Sequence, residues 1–145
     1  MDVRHSLTRR TLLAAGSAGA GALALAGCGL DVETCDVPDA GTAPSLEGGQ
    51  QLAVLADIEV GAAAVVRAPG CGALVVARPT SATAVAFSAI CTHHGVIVET
   101  RGRQLHCPAH DALFNATTGA VEQGPAERPL AQVAVSVSDG RVLTA

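Results

Sequence analysis

The side chains best suited to hold a metal are concentrated in two short stretches, Cys91-Thr92-His93 and Cys107-Pro108-Ala109-His110. Thirteen residues separate His93 from Cys107. Each stretch offers one thiolate and one imidazole, so together they make a four-donor site of mixed charge, the kind that holds an iron–sulfur cluster or a zinc ion. If His94 replaced His93 as the donor, both stretches would read Cys-x-x-His, a zinc-like arrangement. The chain shows no paired nucleophile and base and no glycine-rich nucleotide loop, so the chemistry on offer is that of the metal site itself.

Two loops can share one metal site only if the chain between them doubles back, and the sequence provides for that. Residues 96–100 and 103–106 flank Arg101-Gly102, which predicts a β-hairpin. A second hairpin is predicted where residues 132–138 and 141–144 flank Asp139-Gly140. Short Val- and Ala-rich runs at 62–68, 72–77 and 83–90 are broken by Pro69-Gly70-Cys71-Gly72 and Arg78-Pro79-Thr80-Ser81, which reads as strands separated by turns. No helical period and no internal repeat is seen, and the fold class is all-β with antiparallel strands.

Composition narrows the setting. The chain has 145 residues, 49% hydrophobic and 15% charged, with neither Trp nor Tyr and only Phe87 and Phe114 as aromatics. Its core must therefore be built from small aliphatic side chains. All nine basic residues are Arg, and Arg4, Arg9 and Arg10 lie at the N-terminus, whereas only Asp2 of the thirteen acidic residues does. The remainder is acidic and lacks aromatics, which excludes a nucleic-acid-binding surface. Residues 1–27 read as an export signal: Thr8-Arg9-Arg10-Thr11-Leu12-Leu13 resembles a twin-arginine motif, and the uncharged stretch after it is short and Ala/Gly-rich. Leu25-Ala26-Gly27-Cys28 resembles a bacterial lipobox, making Cys28 the candidate for lipidation. Residues 28–50 are rich in Asp, Glu, Gly, Pro and Thr and are expected to form a flexible acidic tether. Cys35 and Cys71 remain; outside the cytoplasm they could form a disulfide with each other, and other partners or free thiols fit the sequence equally well.

The pattern Cys-x-His followed by Cys-x-x-His resembles the Rieske iron–sulfur family. Cys91-Thr92-His93-His94-Gly95 looks like the first cluster loop of that family, and Cys107-Pro108-Ala109-His110 through Phe114 like the second. Thr118-Gly119-Ala120-Val121, Gly124-Pro125-Ala126 and Pro129-Leu130 are similar to its closing hairpin and proline-bearing cover loop. The resemblance spans roughly residues 52–145. It implies an antiparallel sandwich or barrel-like domain over 51–145 with a small cluster-binding subdomain over about 90–125. It also implies a [2Fe-2S] cluster, with Cys91 and Cys107 on the buried iron and His93 and His110 on the outer one. His94 and His106, beside the ligands, are then expected at the surface or behind the ligands.

Charge explains what such ligation does. Two thiolates and two neutral imidazoles cancel the double positive charge of an oxidised diiron-disulfide core, whereas four thiolates overshoot it. A neutral site takes up an electron more easily, which raises the potential from about −400 mV to about −150 to +300 mV, roughly 6 to 16 kcal/mol per electron. An apoprotein could cross a membrane unfolded, but a loaded cluster must cross in a folded protein, and a twin-arginine signal serves that route. The expected function is one-electron transfer at the outer face of a bacterial membrane, with a redox protein or membrane oxidoreductase of the quinol–cytochrome c type as partner. A free-standing ferredoxin-like carrier and a structural zinc lipoprotein are the alternatives. The chain departs from respiratory members of the family: Val96 and Ala109 stand where a disulfide clasp would be, Ala112 and Phe114 lack hydroxyls, and Asp111 replaces a Gly. Fewer donors and an added carboxylate predict a potential in the lower or middle part of the range.

Overall fold

The computed structural model describes residues 39–68 and 72–145. Eleven strands appear in chain order: β1 Gln51–Val54, β2 Ala63–Ala68, β3 Gly72–Ala77, β4 Val85–Ser88, β5 Glu99–Arg101, β6 Gln104–His106, β7 Leu113–Asn115, β8 Val121–Gln123, β9 Gln132–Val133, β10 Val135–Ser138 and β11 Arg141–Thr144. They form three antiparallel sheets, ordered β1-β11-β10, β2-β3-β4-β9 and β5-β6-β7-β8. Among the described residues the only helical element is a short 3-10 turn, Leu55–Asp57. The fold class is the expected all-β antiparallel one. The small third sheet is inserted in the chain between β4 and β9, and both loops bearing the Cys and His pairs adjoin it: the first leads into β5 and the second joins β6 to β7.

The strand runs follow from what each face must bury. In β3, Val75 packs into one apolar core and Leu74 and Val76 into another, so both faces are covered and the run reads as continuously apolar. The predicted hairpin at Asp139-Gly140 joins β10 to β11 through a two-residue turn; both turn residues have positive φ, 50° and 72°, the left-handed conformation such a turn requires. The other predicted hairpin joins β5 to β6, with Arg101 opposite Gln104, placing its turn at Gly102-Arg103, one residue later than expected. The run 132–138 is two strands: β9 pairs with β4 and β10 with β11, so the chain changes sheet at Ala134.

Of the tether expected over residues 28–50, residues 28–38 lie outside the described residues, and residues 39–50 do not form one. From Asp39 onward the chain lies on the domain: Ala43 and Leu46 pack against the second core, and the Gly49 amide donates to the Thr144 carbonyl at 2.8 Å. Thr144, 3% exposed, returns its amide to the Gln50 carbonyl at 2.9 Å, donates its hydroxyl to the Glu47 carbonyl, and accepts the Gln50 amide at 2.9 Å. The stretch reads as a linker because its apolar contacts are few and unperiodic. Backbone pairing with the last strand is what holds it. Arg78, placed in a turn by the sequence, also holds a loop: its guanidinium donates to the carbonyls of Leu55, Ile58 and Ser81. Cys28, Cys35 and Cys71 lie outside the described residues, and so does the candidate disulfide.

Gly119 is fixed by its surroundings. Its φ is +70°, and an added Cβ would stand 2.8 Å from Phe87 Cδ1, within a chain segment pinned by hydrogen bonds to Asn115 and Leu130. Gly119→Ala should lower the unfolding free energy by about 2–4 kcal/mol, combining the left-handed strain with overpacking of an aromatic ring. Chemical denaturation would show it, and an unchanged midpoint would contradict the packing described.

Candidate metal centre

Two loops of the same construction carry the four candidate ligands. In the first, the Cys91 amide donates to the Val96 carbonyl at 2.8 Å and the Gly95 amide to the Cys91 carbonyl at 2.9 Å. In the second, the Cys107 amide donates to the Ala112 carbonyl at 2.9 Å and the Asp111 amide to the Cys107 carbonyl at 3.0 Å. Each loop thus closes from Cys to the fourth and fifth residues after it. The fourth residue has positive φ in both: Gly95 at 72° and Asp111 at 57°. An Ile90–Ile97 bridge closes the base of the first loop, and β6 and β7 close the second.

This folding turns the cysteines inward. Cys91 and Cys107 are 0% and 1% exposed, packed in one core with Phe87, Phe114, Leu105 and Val98. Their side chains lie within hydrogen-bonding contact of each other, and the amides of His93 and His94 point to the Cys91 sulfur. Burial is the main reason the Cys91 thiol is pushed above its ordinary range, and the neighbouring Cys107 adds to it, against the opposing pull of the two amides.

The histidines face the other way. His93, His94 and His110 bring a ligating nitrogen each within 4.8 Å of one another, His93 partly buried and the other two exposed. The rings of His93 and His110 meet edge to face at 4.9 Å. His93 is held below the usual imidazole range, first by desolvation and then by the neighbouring His94 and His110 rings, while Glu127 opposes this. A depressed imidazole stays neutral, the form that binds a metal. A buried pair of sulfurs beneath a surface pair of nitrogens is the donor set of a cluster with one inner and one outer iron, so the residues present fit the group the motif implies.

The surrounding residues complete the frame. Thr92 donates its hydroxyl to the Arg128 carbonyl at 2.6 Å, tying the first loop to the segment after Gly124-Pro125-Ala126, and Ala126 and Leu130 enter the cysteine core. The Gly124–Pro125 peptide is cis. Arg128 in turn donates to the Ala40 carbonyl at 3.1 Å. Val96 and Ala109 occupy the clasp positions, and Ala112 and Phe114 are fully buried without hydroxyls. The sequence set His94 aside, yet the structure puts its ring 4.0 Å from His93. His106 is neither ligand nor surface residue: it is 7% exposed, and its Nε2 lies 2.8 Å from Asp111 Oδ1. The spacing of five residues across a loop gave no sign of that pair.

Residues 33–134 match the Rieske [2Fe-2S] domain, and the chain belongs to that family. It is 44% identical over 61 residues to the cytochrome b6-f complex iron-sulfur subunit of Gloeobacter violaceus, covering 41% of this chain and 32% of that protein, so it spans about a third of that relative's length. In structure it is similar to the cyanobacterial plasma membrane Rieske protein of Synechocystis PCC 6803, with a TM-score of 0.54 at 29% identity over 68% of this chain and 98% of that one. It is equally similar to the Sphingomonas yanoikuyae B1 ferredoxin, TM-score 0.54 at 25% identity over 65% of this chain and 94% of the ferredoxin. Its cofactor is accordingly a [2Fe-2S] cluster in place of the zinc ion.

The raised Cys91 thiol gives a pH prediction. A group whose folded value lies above its unfolded value of 9.0 contributes stability that is complete below that value and is lost as pH climbs through the folded one. Cluster-free protein should therefore lose thermal stability on the alkaline side of pH 9.0, and Cys91→Ser should flatten that limb; an identical alkaline decline in the variant would contradict it.

Proposed function

We propose that this chain is an exported, lipid-anchored electron carrier that passes single electrons at the outer face of the bacterial cytoplasmic membrane, as subunit or partner of a respiratory oxidoreductase of the quinol–cytochrome c type. In this reading residues 1–27 are the signal, Cys28 carries the lipid, and the segment before Asp39 spaces the domain 51–145 from the bilayer. The ligands are Cys91 and Cys107 on the inner iron and His93 and His110 on the outer. The observation that carries the reading is the polarity of the site, with both thiols at or below 1% exposure and the imidazoles at the surface. His93 is preferred over His94 because it is the more enclosed of the two neighbours.

The bound cluster supplies a one-electron couple. The chain's own residues set its surroundings. The sulfur end is sealed by apolar side chains, so water reaches only the imidazole end. The amides of His93 and His94 offer dipoles to the Cys91 sulfur, which favour added negative charge. Without hydroxyls at Ala112 and Phe114, and with the Asp111 carboxylate beside His110, few further groups do so. A midpoint in the lower to middle part of the about −150 to +300 mV span follows. Voltammetry of the purified protein reads it directly, and a value near the top would contradict this account of the donors.

Two relatives support the membrane setting, one a subunit of the cytochrome b6-f complex and one a plasma membrane Rieske protein. The likeness to a whole ferredoxin, with Val96 and Ala109 at the clasp positions, favours a second reading as a free-standing carrier. Fractionation separates the two. The full chain should sediment with membranes and Cys28→Ser should become soluble while keeping iron and acid-labile sulfide; a wild-type protein that is soluble from the outset would overturn the anchored reading.

A further inference from the structure

The two ligand loops are near-copies in their backbone bonds but differ at one pair of positions. Counting from each Cys, the residue before it and the fourth after it come together across the loop. In the first loop these are Ile90 and Gly95, and a Cβ on Gly95 would just touch Ile90 Cγ2 at 4.0 Å. In the second they are His106 and Asp111, joined by the 2.8 Å contact between Nε2 and Oδ1. The left-handed backbone at the fourth position comes without strain for Gly95. For Asp111, at φ 57°, it must be held.

What holds it is polar. Asp111 gives its amide to the Cys107 carbonyl, its carbonyl accepts from Gln123 Nε2 at 3.1 Å, and its carboxylate reaches the buried His106 ring. Among the described residues His106 has little else: its Nδ1 is buried with no hydrogen-bond partner there, and the contact to Asp111 is the one polar anchor they give that ring. On β6 the ring lies on the side opposite Leu105, and register sets it beside Leu113. The loop crossing from Cys107 to Ala112 is therefore pinned to the strand on which it starts.

We propose that His106 and Asp111 are positioning residues that lock the second ligand loop, so that this bond, rather than a covalent clasp, keeps His110 in place over the cysteine core. The inference rests on the cluster assignment above. His106 donates from Nε2 and Asp111 accepts, and an acceptor at position 111 that also tolerates the left-handed backbone is the requirement.

The test uses the full-length, cluster-loaded protein, following loss of its visible absorbance under a fixed chelator, with EPR of the reduced samples. Asp111→Gly frees the backbone but removes the acceptor, and should lose cluster about tenfold faster, with shifted and broadened g-values. Asp111→Asn keeps acceptor and backbone and should retain the cluster as wild type does, while its midpoint rises because a charge near His110 is gone. His106→Ile combined with Asp111→Gly copies the first loop's pair, and should be no worse than either single change, since the two act as one contact. Retention and g-values of Asp111→Gly matching wild type would overturn the lock, as would Asp111→Asn failing as badly as Asp111→Gly. Wild-type protein free of iron and sulfide in the same preparation would strike the cluster assignment instead, so the two failures are told apart.

Discussion

Two thiols side by side inside an apolar core are the constraint on which the rest of the molecule depends. As thiolates they would repel each other and have little water to solvate them, and burial already pushes the Cys91 thiol upward. A positively charged core between them relieves both costs at once. The small sheet of β5 to β8 exists in this light as a frame: it sets two similar loops facing one another and sends their sulfurs in and their imidazoles out, while Phe114 from β7 and Phe87 from β4 seal the inner side.

The site was far more legible than its support. Cys91, His93, Cys107 and His110 stand out because few other reasons place these residue types at such intervals, and the hairpin between them is announced by Gly102. The Asp139-Gly140 turn was legible for the same reason, since two successive left-handed residues suit few other structures. Other features depend on contacts distant in sequence. The switch of sheets at Ala134 has no local signature, because β9 and β10 form one unbroken run. The seating of residues 39–50 on the body is made by backbone pairing with Thr144, nearly a hundred residues away, and no composition reveals that. His106 looked like a spare histidine next to a ligand; only the folded loop shows that Asp111 reaches it.

The twin loops also show how one local geometry can be reached by different chemistry. The first uses glycine and an aliphatic neighbour, and the second an acid and a buried imidazole. The polar version carries its carboxylate on the residue that follows His110 in the chain, and charge there weighs on the ease of reduction, so the means of holding the loop and the tuning of the site are linked. Buried alanine at 112 and phenylalanine at 114 leave that carboxylate unopposed by hydroxyl donors.

Iron-57 Mössbauer spectroscopy of the oxidised and reduced protein, joined to pulsed EPR for nitrogen couplings, addresses the central claim most directly. The account predicts two inequivalent irons, one held by sulfur alone and the other coupled to two imidazole nitrogens and receiving the electron on reduction. Two equivalent sulfur-bound irons without nitrogen coupling, or zinc in place of iron, would contradict it.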